Sequence, residues 1–140
     1  NIYITGEAYF TGGMPYWNMA TTVKFNAMGV QQWVETYSAS FSSIMMISNA
    51  IVVDSVGNSY ITGRNVDTPF LHCYFLLKYN SSGVSQWVRR FGDIWSAGLF
   101  VDISRDGYIY TGGIEQVSTS NWDYYVLNLI HLEIKFGIDN

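Results

Sequence analysis

The chain has 140 residues, of which 49% are hydrophobic and only 13% charged, a composition that excludes a disordered chain and predicts a sizeable core. Its net charge of −4 argues against a nucleic-acid partner. One cysteine, Cys73, excludes an internal disulfide and a thiolate metal cluster, and no apolar run approaches the roughly 20 residues of a membrane span.

The chain begins inside a motif that recurs along its length. The first six residues, NIYITG, return as NSYITG, and the segment VKFNAMGVQQWV returns without a gap as LKYNSSGVSQWV. The spacing is 57 residues from Thr5 to Thr62, 49 from Thr62 to Thr111, and 54 from Trp33 to Trp87. Self-similarity at so regular a spacing indicates a repeat architecture.

Within each copy, β-branched and aromatic runs alternate with turn residues, which predicts short strands joined in hairpins. The segment from Asp102 to Gly112 is one residue longer than that from Asp54 to Gly63, which predicts a bulge or a longer turn in the third copy. The predicted turns are residues 26–29, 54–58, 80–83 and 104–107. The predicted strands include residues 21–25, 30–37, 51–53, 60–62, 74–79, 84–91 and 124–129.

Four antiparallel strands per repeat predict an all-β fold, a β-propeller built of four-stranded antiparallel blades, with about three blades in this chain. The expected blades are residues 1–48, whose first strand is missing, residues 49–97, and residues 98–140, whose end departs from the pattern. Three blades do not close a ring, and open edges need a cover. We therefore expect either a piece of a longer propeller or self-association, as a homodimer closing a six-bladed ring.

The full recurring pattern is D-S-x-G-N-x-Y-x-T-G, then an apolar strand ending in K-[FY]-N, then G-x-x-x-W. In these residues the chain resembles the bacterial seven-bladed β-propeller repeat family. The resemblance implies a propeller and an extracellular or cell-surface location, and the family carries no single activity. The third copy departs from it, because Asn128 stands where Lys24 and Lys78 stand. The match lies in Asp54, Gly57, Asn58, Tyr60, Thr62, Gly63, Lys78, Asn80, Gly83 and Trp87 of the middle copy and in Lys24, Asn26, Gly29 and Trp33 of the first.

Several recurring residues are interpreted as structural. Trp33 and Trp87 occupy the same place in a strand, where a large apolar ring with one N–H suits packing between blades. Asp54 and Asp102 close the first strands, where a carboxylate accepts hydrogen bonds from turn N–H groups. The glycines of the recurring Thr-Gly pair, Gly63 and Gly112, belong to the same structural set.

Motifs for metal, cofactor or nucleophile chemistry are missing from the sequence. His72 and His131 are isolated, without the spacing of a zinc-ligand pair. There is no G-x-S-x-G motif, no glycine-rich phosphate loop and no acidic calcium loop. No cofactor and no metal are expected.

The variable inserts, residues 7–20, 64–73 and 113–122, are the expected place for function, because binding residues sit on loops held by a rigid scaffold. Equivalent blades would present all three inserts on one face, where aromatic rings and one arginine suit a sugar ring or a protein loop. The alternative is that these aromatic rings pack on neighbouring blades or on another chain. The candidate ligand-binding residues are Tyr16, Trp17, Arg64, Phe70 and Trp122.

Three functions follow from this reading. The first is a non-enzymatic binding module, extracellular and bacterial, that recognises carbohydrate or protein through its aromatic inserts. The second is a polysaccharide lyase or hydrolase, in which His72 or a nearby tyrosine transfers a proton and Arg64 neutralises a uronate carboxylate. The third is a structural repeat of a surface assembly, which needs no site.

Overall fold

The structure, a computed structural model, describes residues 1–10, 17–38, 45–68, 71–92, 95–118, 120–130 and 133–136. It confirms the all-β fold, and the predicted strands all coincide with observed ones. These described residues form eleven strands: β1 (Ile2–Phe10), β2 (Trp17–Phe25), β3 (Gln31–Tyr37), β4 (Met45–Val53), β5 (Ser59–Thr68), β6 (Leu71–Tyr79), β7 (Ser85–Phe91), β8 (Ser96–Ile103), β9 (Ile109–Ser118), β10 (Asn121–Ile130) and β11 (Glu133–Phe136).

These strands form three consecutive antiparallel ladders. Ladder 1 contains β1 to β3, ladder 2 contains β4 to β7, and ladder 3 contains β8 to β11, each strand pairing with the next. Within the part of the chain that the structure describes, one parallel residue pair joins each ladder to the next. Asn18 pairs with Met45 between ladders 1 and 2, and His72 pairs with Trp95 between ladders 2 and 3. The strand order within the repeat is therefore the same at both junctions.

One five-residue turn recurs four times, at residues 26–30, 54–58, 80–84 and 104–108. In each, the first N–H donates to the fifth carbonyl and the fourth N–H donates to the first carbonyl. The fourth residue is always glycine, with φ between 78° and 89°, because this backbone conformation strains a side chain. The first residue, Asn26, Asp54, Asn80 or Ser104, accepts turn N–H bonds on its side chain.

The expectation of a longer turn or an added bulge in the third copy is wrong. Turns 54–58 and 104–108 have equal length, and the bulge in β8 at Leu99 matches one in β4 at Asn49. Ser104 consequently takes the position of Asp54. Asp102 lies two residues earlier, inside β8 opposite Tyr110.

The carboxylate of Asp102 accepts a hydrogen bond from the N–H of its neighbour Ile103, so Asp102 does not close the turn as expected. The same register makes Gly113, not Gly112, the counterpart of Gly63. Gly63 lies opposite Ser48 and Gly113 opposite Gly98, whereas Gly112 lies opposite Phe100. The repeated Thr-Gly pair is thus displaced by one residue in ladder 3.

The core lies between the ladders, and ladder 2 is buried on both sides. Successive side chains of a strand point to opposite faces, so β6 supplies both sides with apolar residues. Phe75 and Leu77 face ladder 1, and Tyr74 and Leu76 face ladder 3. The first cluster contains Ala20, Met46, Ile61, Phe75, Leu77 and Tyr79, and the second contains Tyr60, Tyr74, Leu76, Val101, Ile109 and Leu127.

The two recurring tryptophans lie at these junctions. The Trp33 ring of ladder 1 is 6.0 Å from the Tyr79 ring of ladder 2, and its Nε1 donates to the Ser81 carbonyl at 3.2 Å. Trp87 is 6.2 Å from Tyr60 and packs against the second cluster. A large ring with one satisfied N–H is a stable filler for a junction of this kind.

Candidate functional site

The links between strands fall at two ends of the molecule. The four recurring turns occupy one end, called here the turn end. The opposite end, the insert end, carries the links after β1, β5 and β9, because the hairpins place Phe10 opposite Trp17, Thr68 opposite Leu71 and Ser118 opposite Asn121. All three predicted inserts therefore emerge at the same end. Most of their residues are strand, since the hairpins extend well into each insert.

Four side chains meet at the insert end of the junction between ladders 2 and 3. The His72 ring stacks on the Trp95 ring with centroids 3.7 Å apart and an angle of 19° between their planes. The Arg64 guanidinium lies over the Trp95 ring, 5.2 Å from its centroid. Trp122 meets Trp95 edge-on, with centroids 5.9 Å apart. We call these four residues the Trp95 cluster.

Backbone contacts hold Trp95 in place. Its carbonyl accepts a hydrogen bond of 2.7 Å from the Gln116 N–H of β9. The next residue, Ser96, is buried; its hydroxyl accepts from the Tyr74 N–H at 2.9 Å and lies 3.2 Å from the His72 carbonyl, to which it donates. Residues 95 and 96 are thus hydrogen-bonded to both ladders, which fixes the backbone that carries the Trp95 ring.

The Trp95 cluster is buried on its His72 side and accessible on its Trp122 side. His72 is only 8% exposed, whereas Trp122 is 44% exposed. The guanidinium is attracted to the π face of Trp95, because the ring carries negative charge density there. The exposed indole of Trp122 and the guanidinium of Arg64 thus both contact the Trp95 ring at this end of the molecule.

The equivalent positions at the other junction carry different chemistry. Glu7 stands in place of Arg64, Asn18 in place of His72, and Met45 in place of Trp95, as the strand registers define. The Asn18 amide donates to the Glu7 carboxylate at 2.9 Å. The Trp95 cluster is therefore not a feature that both junctions share as part of the scaffold.

Of the five residues predicted to bind a ligand, the structure brings two together, Arg64 and Trp122. Tyr16 and Phe70 lie outside the described residues. Trp17 is the first residue of β2, opposite Phe10, and nothing is described of its side chain. Sequence reasoning did not single out Trp95. The signal that could have found it is a tryptophan shortly before the third repeat, which begins at residue 98.

Two clefts lie at the turn end, away from the Trp95 cluster. One, of about 710 Å³, runs between ladders 1 and 2 and is lined by Tyr3, Lys24 and residues 54–57 of the turn, among others. The other, of about 490 Å³, takes the equivalent place between ladders 2 and 3. Inside the first, Tyr3 donates to the Gly57 carbonyl and Lys24 to the Ser81 carbonyl. Because these clefts recur with the repeat and their polar groups bind one another, we assign them to the scaffold.

The described ranges hold no group of three or more His, Cys, Asp or Glu side chains that could bind a metal ion. Nor do they contain a helix with the length and apolarity to cross a membrane. Compared with known proteins, the chain matches no family model and no curated protein.

Proposed function

We propose that the chain is a non-enzymatic binding module that recognises carbohydrate through the Trp95 cluster. The observation that carries this proposal is the meeting of Arg64, Trp95 and Trp122 at the insert end, with Trp122 44% exposed. An indole face packs on the C–H groups of a sugar ring, and an arginine beside it binds a carboxylate through directed N–H groups. The favoured ligand class is accordingly an oligosaccharide that contains uronate units.

The state of His72 favours binding over proton transfer. A general acid or base must reach the substrate within hydrogen-bond distance. His72 is 8% exposed and its ring is covered by Trp95, so it supports the Trp95 ring and does not face the ligand. We therefore place His72 among the positioning residues.

We further propose that the ladders are propeller blades and that the module acts outside the cell. Three ladders with apolar clusters between them, with the same turn and an equivalent parallel pair repeated, support the propeller arrangement. The extracellular setting rests on the resemblance of the repeat to bacterial propeller repeats. Protease treatment of intact cells of the source organism tests it, since a surface protein is cleaved while cytoplasmic markers survive.

The test of the binding proposal is calorimetric titration with an oligogalacturonate hexasaccharide and with its carboxyl-reduced, neutral counterpart. We expect the chain to bind the acidic sugar more tightly than the neutral one. Trp122→Ala should weaken the binding of both sugars at least tenfold, because it removes the exposed indole on which a sugar ring packs. Arg64→Gln should weaken binding of the acidic sugar alone.

Tyr9→Ala is the matched control. Tyr9 is an exposed aromatic residue at the insert end of ladder 1, at the other junction, so its loss should leave the affinity unchanged. Failure of the unmodified chain to bind either sugar, or equal binding by Trp122→Ala, would overturn the proposal. Thermal melting of each variant separates a lost site from a lost fold.

A further inference from the structure

The outward face of ladder 3 repeats the residues by which ladder 2 holds ladder 3. Arg64 and Ile114 each lie seven residues after a turn glycine, Gly57 or Gly107, and their cross-strand partners are Tyr74 and Tyr124. Tyr74 and Tyr124 are thus the same position in consecutive ladders. Tyr74 is completely buried against ladder 3, whereas Tyr124 is 86% exposed.

The neighbouring position behaves in the same way. Leu76, opposite Thr62, is fully buried at the junction. Its counterpart Val126, opposite Gly112, is 54% exposed, and Phe100 beside it on the ladder is 44% exposed. The face of ladder 2 that is buried against ladder 3 is therefore repeated on ladder 3, where it is apolar and exposed.

The outward face of ladder 1 carries the complementary half of the same junction. At the junction between ladders 2 and 3, Ile109 and Leu127 of ladder 3 pack against the apolar face of ladder 2. The strand registers place Ile2 and Val23 at the corresponding positions of ladder 1. Ile2 is 52% exposed, and Ile4, which lies on the same face, is 54% exposed.

We propose that the outward face of ladder 3 binds the outward face of ladder 1 of a second copy of this chain, reproducing the junction between ladders 2 and 3. The partner is a second copy because the chain already forms this interface between ladders 2 and 3. Counterparts of both sides of that interface are exposed on one molecule, one on ladder 3 and the other on ladder 1. The contact is head-to-tail, so each copy offers one face and receives the other. Two copies that satisfy both faces make a closed ring of six ladders. Trp122 of ladder 3 is the counterpart of His72 of ladder 2 and lies at the insert end of this outward face, so the contact borders the proposed sugar site but does not depend on sugar binding.

The test is the mass of the 140-residue chain in solution, measured by analytical ultracentrifugation from about 1 to 200 μM. We expect twice the 15.9 kDa of one chain, or a longer head-to-tail series if the ring does not close. Tyr124→Lys and Ile4→Lys should each give monomers, because every head-to-tail contact then contains one altered face. A mixture of the two variants should form a dimer, since one contact between them has both faces intact.

The mixing experiment distinguishes this contact from any other mode of association. If two ladder 3 faces paired with each other, Ile4→Lys would still dimerise, and that result would overturn the proposal. A monomer for the unmodified chain at all concentrations would overturn it as well. Met28→Lys, at an 84% exposed apolar residue in a turn, is the control and should associate normally. Titration of Ile4→Lys, which leaves the Trp95 cluster unaltered, with the oligogalacturonate reports separately on the proposed sugar site.

Discussion

The phenol of Tyr74 on β6 hydrogen-bonds the hydroxyl of Thr111 on β9, across the junction between ladders 2 and 3. The Thr111 hydroxyl also lies 2.8 Å from the Phe100 carbonyl, to which it donates. A buried tyrosine from one ladder is thus fixed to two strands of the next. This bond joins the ladders by a directed contact within an otherwise apolar core.

This contact leads to a prediction about alkaline pH. Burial raises the pKa of Tyr74 to about 12, against the opposing effect of its hydrogen bonds with Thr111 and Thr62, and burial likewise raises the pKa values of Tyr79 and Tyr125. The unfolded chain loses these protons near pH 10, while the folded protein retains them. The free energy of unfolding should therefore fall as the pH rises from 10 towards 12.

Urea unfolding at a series of pH values between 8 and 11.5 measures this effect. Tyr74→Phe removes one of the titrating groups, so its stability should fall less steeply above pH 10. At pH 8 the same variant should lose about 1 kcal/mol, the usual contribution of one hydrogen bond. Equal slopes for the two proteins would show that ionisation of Tyr74 does not oppose folding.

A second prediction concerns the glycine that follows the repeated Tyr-Ile-Thr. A Cβ at Gly63 would overlap the Ile47 carbonyl oxygen of the neighbouring strand, whereas a Cβ at Gly6, the same position in ladder 1, meets nothing within 4 Å. Gly63→Ala should therefore destabilise the protein by about 1–3 kcal/mol, the usual cost of overpacking. Gly6→Ala is the matched control and should change the urea midpoint little. Comparable losses in both variants would show that the overlap with the Ile47 carbonyl is not the cause.

A third prediction concerns the acidic side chain of the turn 54–58. Oδ1 of Asp54 accepts bonds from the N–H groups of Val56 and Asn58, and Oδ2 accepts from the Asn58 amide and the Tyr60 hydroxyl. Asp54→Ala should cost about 1–2 kcal/mol, because the turn N–H groups lose their acceptor. Asp54→Asn should cost less, since Asn26 and Asn80 serve the same turn elsewhere. Asp102→Ala, which removes an exposed carboxylate that accepts a bond from its neighbour's N–H, should have little effect in chemical denaturation.

The Asp54 carboxylate also leads to a prediction about the free energy of unfolding at acid pH. Burial raises the pKa of Asp54, but the hydrogen bonds from Asn58, Val56 and Tyr60 outweigh it and hold the pKa below its usual value. The stabilisation is therefore present above pH 4 and lost as the pH falls through the lowered pKa. Denaturation curves of the unmodified chain and Asp54→Asn should converge between pH 4 and 2. Curves that stay parallel would assign the acid transition to other groups.

The amino-acid sequence alone determined the features that are local. A turn with Asn, Asp or Ser first and glycine fourth depends on five residues and their own backbone bonds, so the turns were predicted at the right places. The strands followed from β-branched and aromatic runs, and the all-β fold from their number. In β6 the run Tyr74 to Leu77 is apolar at every position, which already indicates a strand buried on both faces.

Tertiary structure alone decided which residues share a position and which meet. The repeated motif suggests that Thr62 and Thr111 are equivalent. Cross-strand pairing shows instead that the counterpart of Thr62 is Gly112, because Thr62 lies opposite Leu76 and Gly112 lies opposite Val126, the counterpart of Leu76. The alignment was one residue off because register is set by the partner strand, not by the motif. The meeting of Arg64, Trp95 and Trp122 was likewise invisible, because it depends on the parallel pair that joins β6 to the residue before β8. Long-range pairing of this kind leaves no periodicity in the sequence, and it is what turns a repeated scaffold into a particular site.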